Sequence, residues 1–407
     1  MSAMRPRYYF VSLDGTLDHR DRSGRALSSA TNIQWLHQLV KRNTEDGVPV
    51  HKLYLPGVGT GGADREDNKE AMLGAGIKNT IKDAYRWLCD HELNDRDKII
   101  LAGFSRGAHA ARVLALLISD LGFLHMRYME YIEMIFEQWI SSREKENDRS
   151  ADNDVSALRA QYSQCLTGPR WIHTCAVFDT VGTMGVPNPV DRNPNKKLGF
   201  ARKRLGNVLK AYHAMALDED RSLFPVNLWE DPMPGVAARQ KVRQYWFRGS
   251  HSDVGGGDNR FLSNLALVWM ISMMEDDPEL DILFDNGKLS QMIRANSVTA
   301  AVTNSRTWMW KPLGSKKRQP GQRDTERVHV SVRLLRERNM VRRSEHMSGP
   351  FENGDRYFWA FGPNAADRLW ESDNARDGYD WHDDSYVAHE EHHLRDMGLV
   401  DTNGPSV

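Results

Sequence analysis

The stretch KIILAGFSRGAHAARVLALLISDL, residues Lys98–Leu121, decides the fold. It begins with a short apolar run, which is typical of a buried strand. From Ala108 onward it is rich in alanine and leucine, which predicts a strongly apolar helix. Between the two, Gly103 and Gly107 stand on either side of Ser105, where a tight turn would leave no room for larger side chains. The segment therefore predicts a strand, a sharp turn at Ser105 and a buried helix.

The same alternation of strands and helices continues on both sides of this segment. Short apolar runs, each ending at a turn signal, predict strands. These predicted strands are Tyr8–Leu13, Lys52–Leu55, Lys98–Phe104, Trp171–Phe178 and Gln244–Arg248. Ile77–Glu92 has apolar residues at three-and-four spacing, which predicts a helix. Strands that alternate with helices favour an α/β fold with a mostly parallel sheet and helices on both of its faces.

We expect a single domain over residues 1–407 that carries two additions. Residues 124–170 form the first, because Met126–Ile140 has methionine, isoleucine and aromatic residues at helical spacing, which predicts a helical cap. The cap could be a lid or the wall of an apolar pocket, or it could be plain core. Residues 286–407 form the second, a C-terminal extension packed on the same domain. Within it, the basic segment Lys311–Arg327 is interpreted as an exposed loop.

The composition is typical of a soluble globular protein, with 40% hydrophobic and 27% charged residues. The formal net charge of −1 provides no field that would attract nucleic acid, and we expect no such partner. The three cysteines lack a pairing pattern, which fits folding in a reducing compartment. The first residues lack a signal peptide's apolar run, and no stretch is apolar enough to cross a bilayer. We therefore expect a chain that is cytoplasmic as synthesised, with any export independent of a cleaved signal; the oligomeric state stays open.

Ser105 lies in the pattern Gly-x-Ser-x-Gly, which between a strand and a helix is typical of the nucleophile elbow of an α/β-hydrolase-like fold. Such a turn places the hydroxyl at a helix N-terminus, where backbone amides favour developing negative charge. The backbone N–H of Arg106 is the first expected oxyanion donor. The second is expected from the loop after the first strand, at Asp14, with Gly15 lining the site. A plain strand-to-helix turn is the alternative interpretation.

A serine nucleophile needs a base, and the base needs an orienting carboxylate. In this fold the chain order is serine, acid, histidine. Asp179 follows an apolar strand, and His251 lies in a glycine-rich loop after the next such strand. Asp253 is a rival for the acid, although it could instead fix the loop. His213, expected on a helix over residues 211–215, could line the site.

Six motifs occur in an order that resembles a known family. They are Leu13–Thr16, Pro56–Thr60, Gly103–Ala108, Phe178–Gly182, His213–Glu219 and Trp246–Gly257. Together, over roughly residues 8–260, they resemble the α/β-hydrolase domain of the Tle-type phospholipase effectors of bacterial type VI secretion, a family with uncharacterised bacterial and fungal relatives. The resemblance implies a serine lipase or phospholipase that cleaves lipid acyl esters through an acyl-enzyme. It also implies a triad of Ser105, Asp179 and His251, with no cofactor.

The sequence also leaves other functions and partners open. A non-lipid esterase or amidase, and a non-catalytic binding module on the same fold, are the alternatives. A basic run over residues 196–204 could hold lipid head groups, which makes a membrane surface a candidate partner. His389–His393 matches the zinc motif H-E-x-x-H, but it lies in a polar, acidic segment. We interpret it as a solvated helix face and expect no metal site.

Overall fold

The computed structural model describes most of the chain up to residue 335. The described residues are 5–15, 30–57, 75–144, 148–181, 205–232, 235, 239–257, 260–295, 301–303, 305, 314–329, 331–332, 335, 393 and 397. Within them lies a seven-stranded sheet with the strand order β2-β1-β3-β4-β5-β6-β7. The strands are β1 (Tyr8–Leu13), β2 (Val50–Leu55), β3 (Lys98–Phe104), β4 (Ile172–Phe178), β5 (Val208–Ala216), β6 (Lys241–Phe247) and β7 (Glu326–Val328). The α/β class is therefore confirmed.

Pairing and burial explain why the sheet forms. The pairs of β1 with β2, β1 with β3, β3 with β4 and β6 with β7 are all parallel. In register, Tyr8 lies opposite both Val50 and Lys98. Every residue of β1 and β4 is buried. Since successive side chains point to opposite faces of a strand, both faces of the sheet are covered at these strands.

The helices are α1 (Asn32–Leu39), α2 (Ala75–Asp90), α3 (Arg106–Leu121), α4 (Ile132–Arg143), α5 (Asp148–Gln161), α6 (His251–Gly255), α7 (Arg260–Glu275) and α8 (Asn286–Ala295), with a 3₁₀ helix over Met126–Tyr131. Helices α2 and α3 lie close to the predicted bounds, and several other helices were not predicted. Helix α3 begins directly at the turn and is buried along nearly its whole length. Among the described residues, no helix is both long and apolar enough to cross a membrane.

The chain divides into two compact units. Unit 1 comprises Met1–Ala26, Arg42–Ala211 and Asn227–Lys241, and unit 2 comprises Leu27–Lys41, Tyr212–Val226 and Val242–Val407. The boundary between the units falls within β5. The expected single domain over residues 1–407 stays a prediction.

Two predictions about elements in the second half of the chain are wrong. Residues 211–215 were expected to be helical, but they lie in β5. Alanine and methionine favour helices, but local propensity is weaker than the gain from burying Ala211–Ala216 in the sheet. In the expected exposed loop Lys311–Arg327, half of the described residues are exposed, and Glu326 and Arg327 belong to the short strand β7.

Residues 124–170 contain the 3₁₀ helix, α4 and α5, and the interpretation of this segment as an inserted cap stays a prediction. One face of α4 is buried, through Ile132, Ile135, Phe136, Trp139 and Ile140. The exposed large hydrophobic side chains of the insertion are Met126, Tyr131 and Met134.

A buried ion pair joins α4 to α3. The Arg143 guanidinium binds the Asp120 carboxylate through Nε, at 2.7 Å, and through Nη2. The indole of Trp139 donates to the same carboxylate at 2.7 Å. Arg143 also contacts Asp152 of α5, whose side chain is 54% exposed. These contacts favour plain core over a lid for this part of the insertion.

Asp120→Asn is expected to lower the free energy of unfolding by about 3–5 kcal/mol, because Arg143 would stay buried beside a neutral partner. Asp152→Asn is the matched control and should cost at most about 1 kcal/mol, since that carboxylate is exposed. Urea unfolding of the two variants measures the difference. Equal losses would contradict the assignment of Asp120 as the buried partner.

Three further sequence predictions concern the cysteines, the basic run and the H-E-x-x-H motif, and the structure describes only some of these residues. Cys89, Cys165 and Cys175 are free thiols, as expected for a chain without a disulfide framework. The basic run over residues 196–204 lies outside the described residues. Of the H-E-x-x-H motif, only His393 is described; it is helical and buried, so the expectation of a solvated face is wrong at that position.

Candidate active site

Ser105 occupies a strained turn between β3 and α3. Its backbone angles are φ 56° and ψ −119°, a left-handed region that residues with a Cβ adopt rarely. Its N–H donates to the Phe178 carbonyl at 3.1 Å, which bonds the turn to the end of β4. Ser105 is 8% exposed. The serine is therefore held in a costly conformation at the carboxyl end of the strands.

The glycines around Ser105 are required by close backbone packing. A Cβ at Gly103 would lie 2.5 Å from the carbonyl oxygen of Gly107, and a Cβ at Gly107 would overlap the carbonyl oxygens of Leu13 and Asp14. The turn can form only where both flanking residues lack a side chain. The prediction of a sharp turn at Ser105 is confirmed.

The loop after β1 lies against Ser105, but its amides are arranged differently from our expectation. A Cβ on Gly15 would lie 3.1 Å from the Ser105 Cβ, so Gly15 lies against the serine, and its role in lining a site stays a prediction. The Asp14 N–H, however, donates to Leu55 O at 3.0 Å within the sheet. Asp14 as the second oxyanion donor is therefore wrong, because its amide extends the hydrogen bonding between β1 and β2. The Gly15 N–H donates to Asp14 Oδ1 at 2.7 Å.

The Asp14 carboxylate has a second partner. Its Oδ2 accepts a hydrogen bond from the Tyr54 hydroxyl at 2.6 Å. This contact joins the ends of β1 and β2 next to Gly15. The loop beside Ser105 is thus fixed by side chains from both strands.

Arg106 is the first residue of α3, and its backbone N–H belongs to the first helical turn. Such amides lack partners within their own helix, which suits them to bind an oxyanion. Burial lowers the pKa of the Arg106 guanidinium from its usual value. The position agrees with the role expected from the sequence, which stays a prediction.

Asp179 follows β4 directly and is fully buried. Its φ is 37°, so it shares with Ser105 the rare left-handed backbone of a residue other than glycine. A buried carboxylate is stable only when it is paired or hydrogen-bonded. Because the Ser105 N–H binds Phe178 O, unit 1 brings Asp179 to the strand end beside the serine turn.

Arg112, which the sequence analysis missed, holds the segment next to Asp179. It is buried in α3 and donates to the carbonyl oxygens of Asn227, at 2.5 Å, and Leu228, at 3.5 Å. The Asn227 N–H in turn donates to Thr180 O at 2.9 Å. Burial lowers the pKa of Arg112 to about 9. Arg112 lies about two helical turns after Ser105 in a mostly apolar helix. A charged residue in such a helix is the signal that could have indicated this anchor.

His251 begins the short helix α6 in unit 2 and is 6% exposed. Its ring packs edge-on against Phe224, with centroids 5.3 Å apart. The preceding Gly249 has φ 118°, and a Cβ there would lie 2.5 Å from the Asp253 Cβ. Glycine at this position lets the chain turn sharply into the helix that carries His251.

Asp253 is engaged in fixing this loop. Its Oδ2 accepts hydrogen bonds from the Ser250 N–H at 2.9 Å and from the Thr303 N–H at 2.8 Å. Its Oδ1 accepts one from the Thr303 hydroxyl at 2.6 Å. Burial raises the pKa of Asp253, and these hydrogen bonds partly oppose the shift. The contacts match the loop-fixing role that was one of two predicted for this residue.

Asp218 and Glu219, at the start of the loop after β5, also hold the His251 loop, and neither was a candidate site residue from the sequence. Asp218 Oδ2 accepts from Arg248 Nε and from the Gly249 N–H, both at 2.7 Å. Glu219 Oε2 accepts from the His251 N–H at 3.2 Å. The sequence signal for this role is a pair of adjacent acids directly after a buried strand, together with a glycine-rich loop that contains a histidine.

The predicted residues are thus distributed over both units. Unit 1 contains Ser105, Arg106, Asp14, Gly15 and Asp179. Unit 2 contains His251, Asp253 and His213. His213 is fully buried within β5.

A mostly parallel sheet with a strained serine between a buried strand and a buried helix defines an α/β-hydrolase-like fold. Within that class, the chain belongs to the Tle1-like phospholipase effector family, because the family model described as "T6SS, Phospholipase effector Tle1-like, catalytic domain" matches residues 7–273. This match confirms the resemblance found in the motifs.

Several individual proteins are similar to the chain. An uncharacterized protein of Saccharomyces cerevisiae is 28% identical over 224 residues, which are 51% of this chain and 31% of the yeast protein. The structure of the Tle1 effector bound to the VgrG spike of the type 6 secretion system is 18% identical, with a TM-score of 0.32 over 63% of this chain and 52% of that one. An uncharacterized protein from Pseudomonas aeruginosa is 13% identical, with a TM-score of 0.36 over 99% of this chain and 65% of that one. The chain thus spans 31% to 65% of the length of these relatives.

Proposed function

We propose that the chain is a serine hydrolase that cleaves lipid acyl esters through a triad of Ser105, Asp179 and His251. The observation that carries the proposal is the Ser105 backbone, at φ 56° and ψ −119°. A residue with a Cβ in such a region costs about 1–3 kcal/mol, and glycine would avoid most of that cost. A serine kept there at the end of β3 is most simply explained by a need for its hydroxyl.

Asp179 is the proposed acid, and its position at the end of β4 supports it. Asp179 is fully buried directly after β4, whose end is bonded to the Ser105 turn. The oxygens of Asp253 are already engaged by Ser250 and Thr303. A carboxylate that fixes its own loop has less capacity left to orient an imidazole.

In the proposed mechanism, the His251 imidazole takes the Ser105 proton while the serine oxygen bonds to the ester carbonyl carbon. The carbonyl oxygen becomes an oxyanion, which the Arg106 N–H stabilises. When it collapses, the ester C–O bond breaks and the imidazolium gives its proton to the leaving alcohol. Water, deprotonated by the same imidazole, then hydrolyses the acyl-enzyme and releases the fatty acid.

The lipid substrate is proposed on the strength of the family, and a membrane surface is the proposed setting. The exposed Met126, Tyr131 and Met134 would suit contact with such a surface, because methionine and tyrosine side chains adapt to the lipid–water boundary. We further propose that the chain is cytoplasmic as synthesised.

Fatty acid release from phosphatidylglycerol–phosphatidylethanolamine vesicles, compared with hydrolysis of p-nitrophenyl butyrate, tests the proposed substrate. We expect turnover of both, and a rate on vesicles that exceeds the rate on an equal concentration of short-chain monomeric phospholipid. A matched sample of Ser105→Ala is the control. Hydrolysis of the soluble ester without any release from vesicles would favour a non-lipid esterase, and inactivity on both would favour a binding module.

A further inference from the structure

Glu219 is buried in unit 2 and contacts the backbone of His251. Its Oε2 accepts hydrogen bonds from the His251 N–H at 3.2 Å and from Arg221 Nη2 at 2.8 Å. Its Oε1 accepts from the Arg221 N–H and Nε, both at 2.9 Å, and from the Ser305 hydroxyl at 3.1 Å. Donors from separate segments of the chain therefore hold the carboxylate in one orientation.

This carboxylate is charged in spite of its burial. Burial acts to raise the pKa of Glu219, but the hydrogen bond and charge of Arg221, together with the charges of Arg318 and His251, outweigh it and hold the pKa below its ordinary value. Arg318 is itself fixed, because it donates to Ala216 O at 2.7 Å and to Phe224 O at 2.9 Å. A permanent negative charge thus lies in the immediate surroundings of His251.

The side of the His251 ring is held by the same group of residues. Phe224 packs edge-on against the imidazole, and the Arg221 guanidinium lies 3.6 Å above the Phe224 ring. Arg221 therefore joins the carboxylate that binds the His251 backbone to the aromatic ring that packs on its side chain. The neighbouring acids have other partners, since Asp218 binds Arg248 and Gly249, and Asp253 binds Ser250 and Thr303.

We propose that Glu219 is a positioning residue for His251: it fixes the histidine backbone, and its negative charge stabilises the imidazolium that forms when His251 takes the serine proton. The inference rests on the proposed function of His251 as the base. Glu219 gains and loses no proton in the cycle, since the proton passes from Ser105 to the imidazole and on to the leaving alcohol. The attraction between Glu219 and the imidazolium of His251 is mutual. Since the positive charge of His251 favours the ionised form of Glu219, the negative charge of Glu219 favours the protonated form of His251.

The test is the pH dependence of p-nitrophenyl ester hydrolysis, with rates expressed per active site counted by fluorophosphonate titration. In Glu219→Gln we expect the acid limb of kcat/KM to move to lower pH by about 0.5–1 unit, and kcat to fall about tenfold with KM little changed. Arg221→Gln should also move the acid limb to lower pH, because burial then raises the pKa of Glu219 and the carboxylate loses its negative charge. A merely structural role would lower the number of active sites without moving the acid limb.

Two variants serve as controls. Asp218→Asn removes a neighbouring carboxylate that binds the same loop but not His251, and its acid limb should match the wild type. Glu219→Asp keeps the charge and should restore the wild-type acid limb. An inactive wild-type protein would refute the proposed function itself. If the wild type is active and the acid limb does not move in Glu219→Gln or Arg221→Gln, this inference is overturned. If Glu219→Gln does not fold, the result for Arg221→Gln decides the inference alone.

Discussion

Ser105→Ala is expected to abolish ester hydrolysis, with a fall in kcat of about 10⁴-fold or more. The reason is that the acyl-enzyme cannot form without the serine oxygen. Substrate binding alone then gives only a low residual rate. Hydrolysis of p-nitrophenyl butyrate by purified protein measures the loss. Ser156→Ala is the matched control, because Ser156 is exposed on α5, where its hydroxyl bonds Asp152 O at 2.8 Å. Wild-type activity in Ser105→Ala would contradict the assignment.

The same position offers a test of backbone strain. Ser105→Gly should be as inactive as the alanine variant, yet more stable than the wild type, by about 1 kcal/mol. Glycine relieves the positive φ, although its greater freedom in the unfolded chain offsets part of the gain. Urea unfolding of the glycine and alanine variants, side by side, separates relief of strain from loss of the hydroxyl. A glycine variant less stable than the alanine variant would show that the turn is not strained.

Asp179→Asn is expected to lower kcat about 10⁴-fold, while the protein stays folded. An amide at this position keeps the shape of the side chain but no longer stabilises the imidazolium, and it favours the wrong tautomer of the histidine. Activity on a soluble ester and circular dichroism together measure the effect. A variant that retains a tenth or more of the wild-type kcat would contradict Asp179 as the triad acid.

Asp253→Asn is the matched comparison, since both acids were candidates from the sequence. Here we expect a loss of about 1–3 kcal/mol in the free energy of unfolding, because hydrogen bonds to buried donors of Ser250 and Thr303 weaken. The kcat of the folded protein should fall at most about tenfold. If Asp253→Asn were instead the more damaging change for kcat, the two acids would exchange roles.

Strands β1, β3 and β4 could be predicted because they are buried on both faces. β1 and β3 are mostly apolar, and their bounds agree with those expected from the sequence. The turn at Ser105 was equally predictable, since its glycines are dictated by local backbone contacts with Leu13, Asp14 and Ala108. Short-range patterns of this kind carry the information that such elements need.

Other features could not be predicted, because they depend on partners distant in the sequence. The Asp14 amide is taken by Leu55 through strand pairing that no local pattern encodes. Glu219 acquires its role from contacts with His251 and Ser305, which lie 32 and 86 residues further along the chain. Likewise, β5 has alanines and a methionine that favour a helix, and its burial in the sheet overrides that preference.

Covalent labelling with a fluorophosphonate tests the central claim most directly. The reagent bonds irreversibly to an activated serine oxygen, and peptide mass mapping then locates the adduct. We predict a single adduct on the peptide that contains Ser105, lost in Ser105→Ala and strongly slowed in Asp179→Asn and in a His251→Gln variant. An adduct on another serine, or no labelling of the folded wild-type protein, would contradict the account of Ser105 as an activated nucleophile.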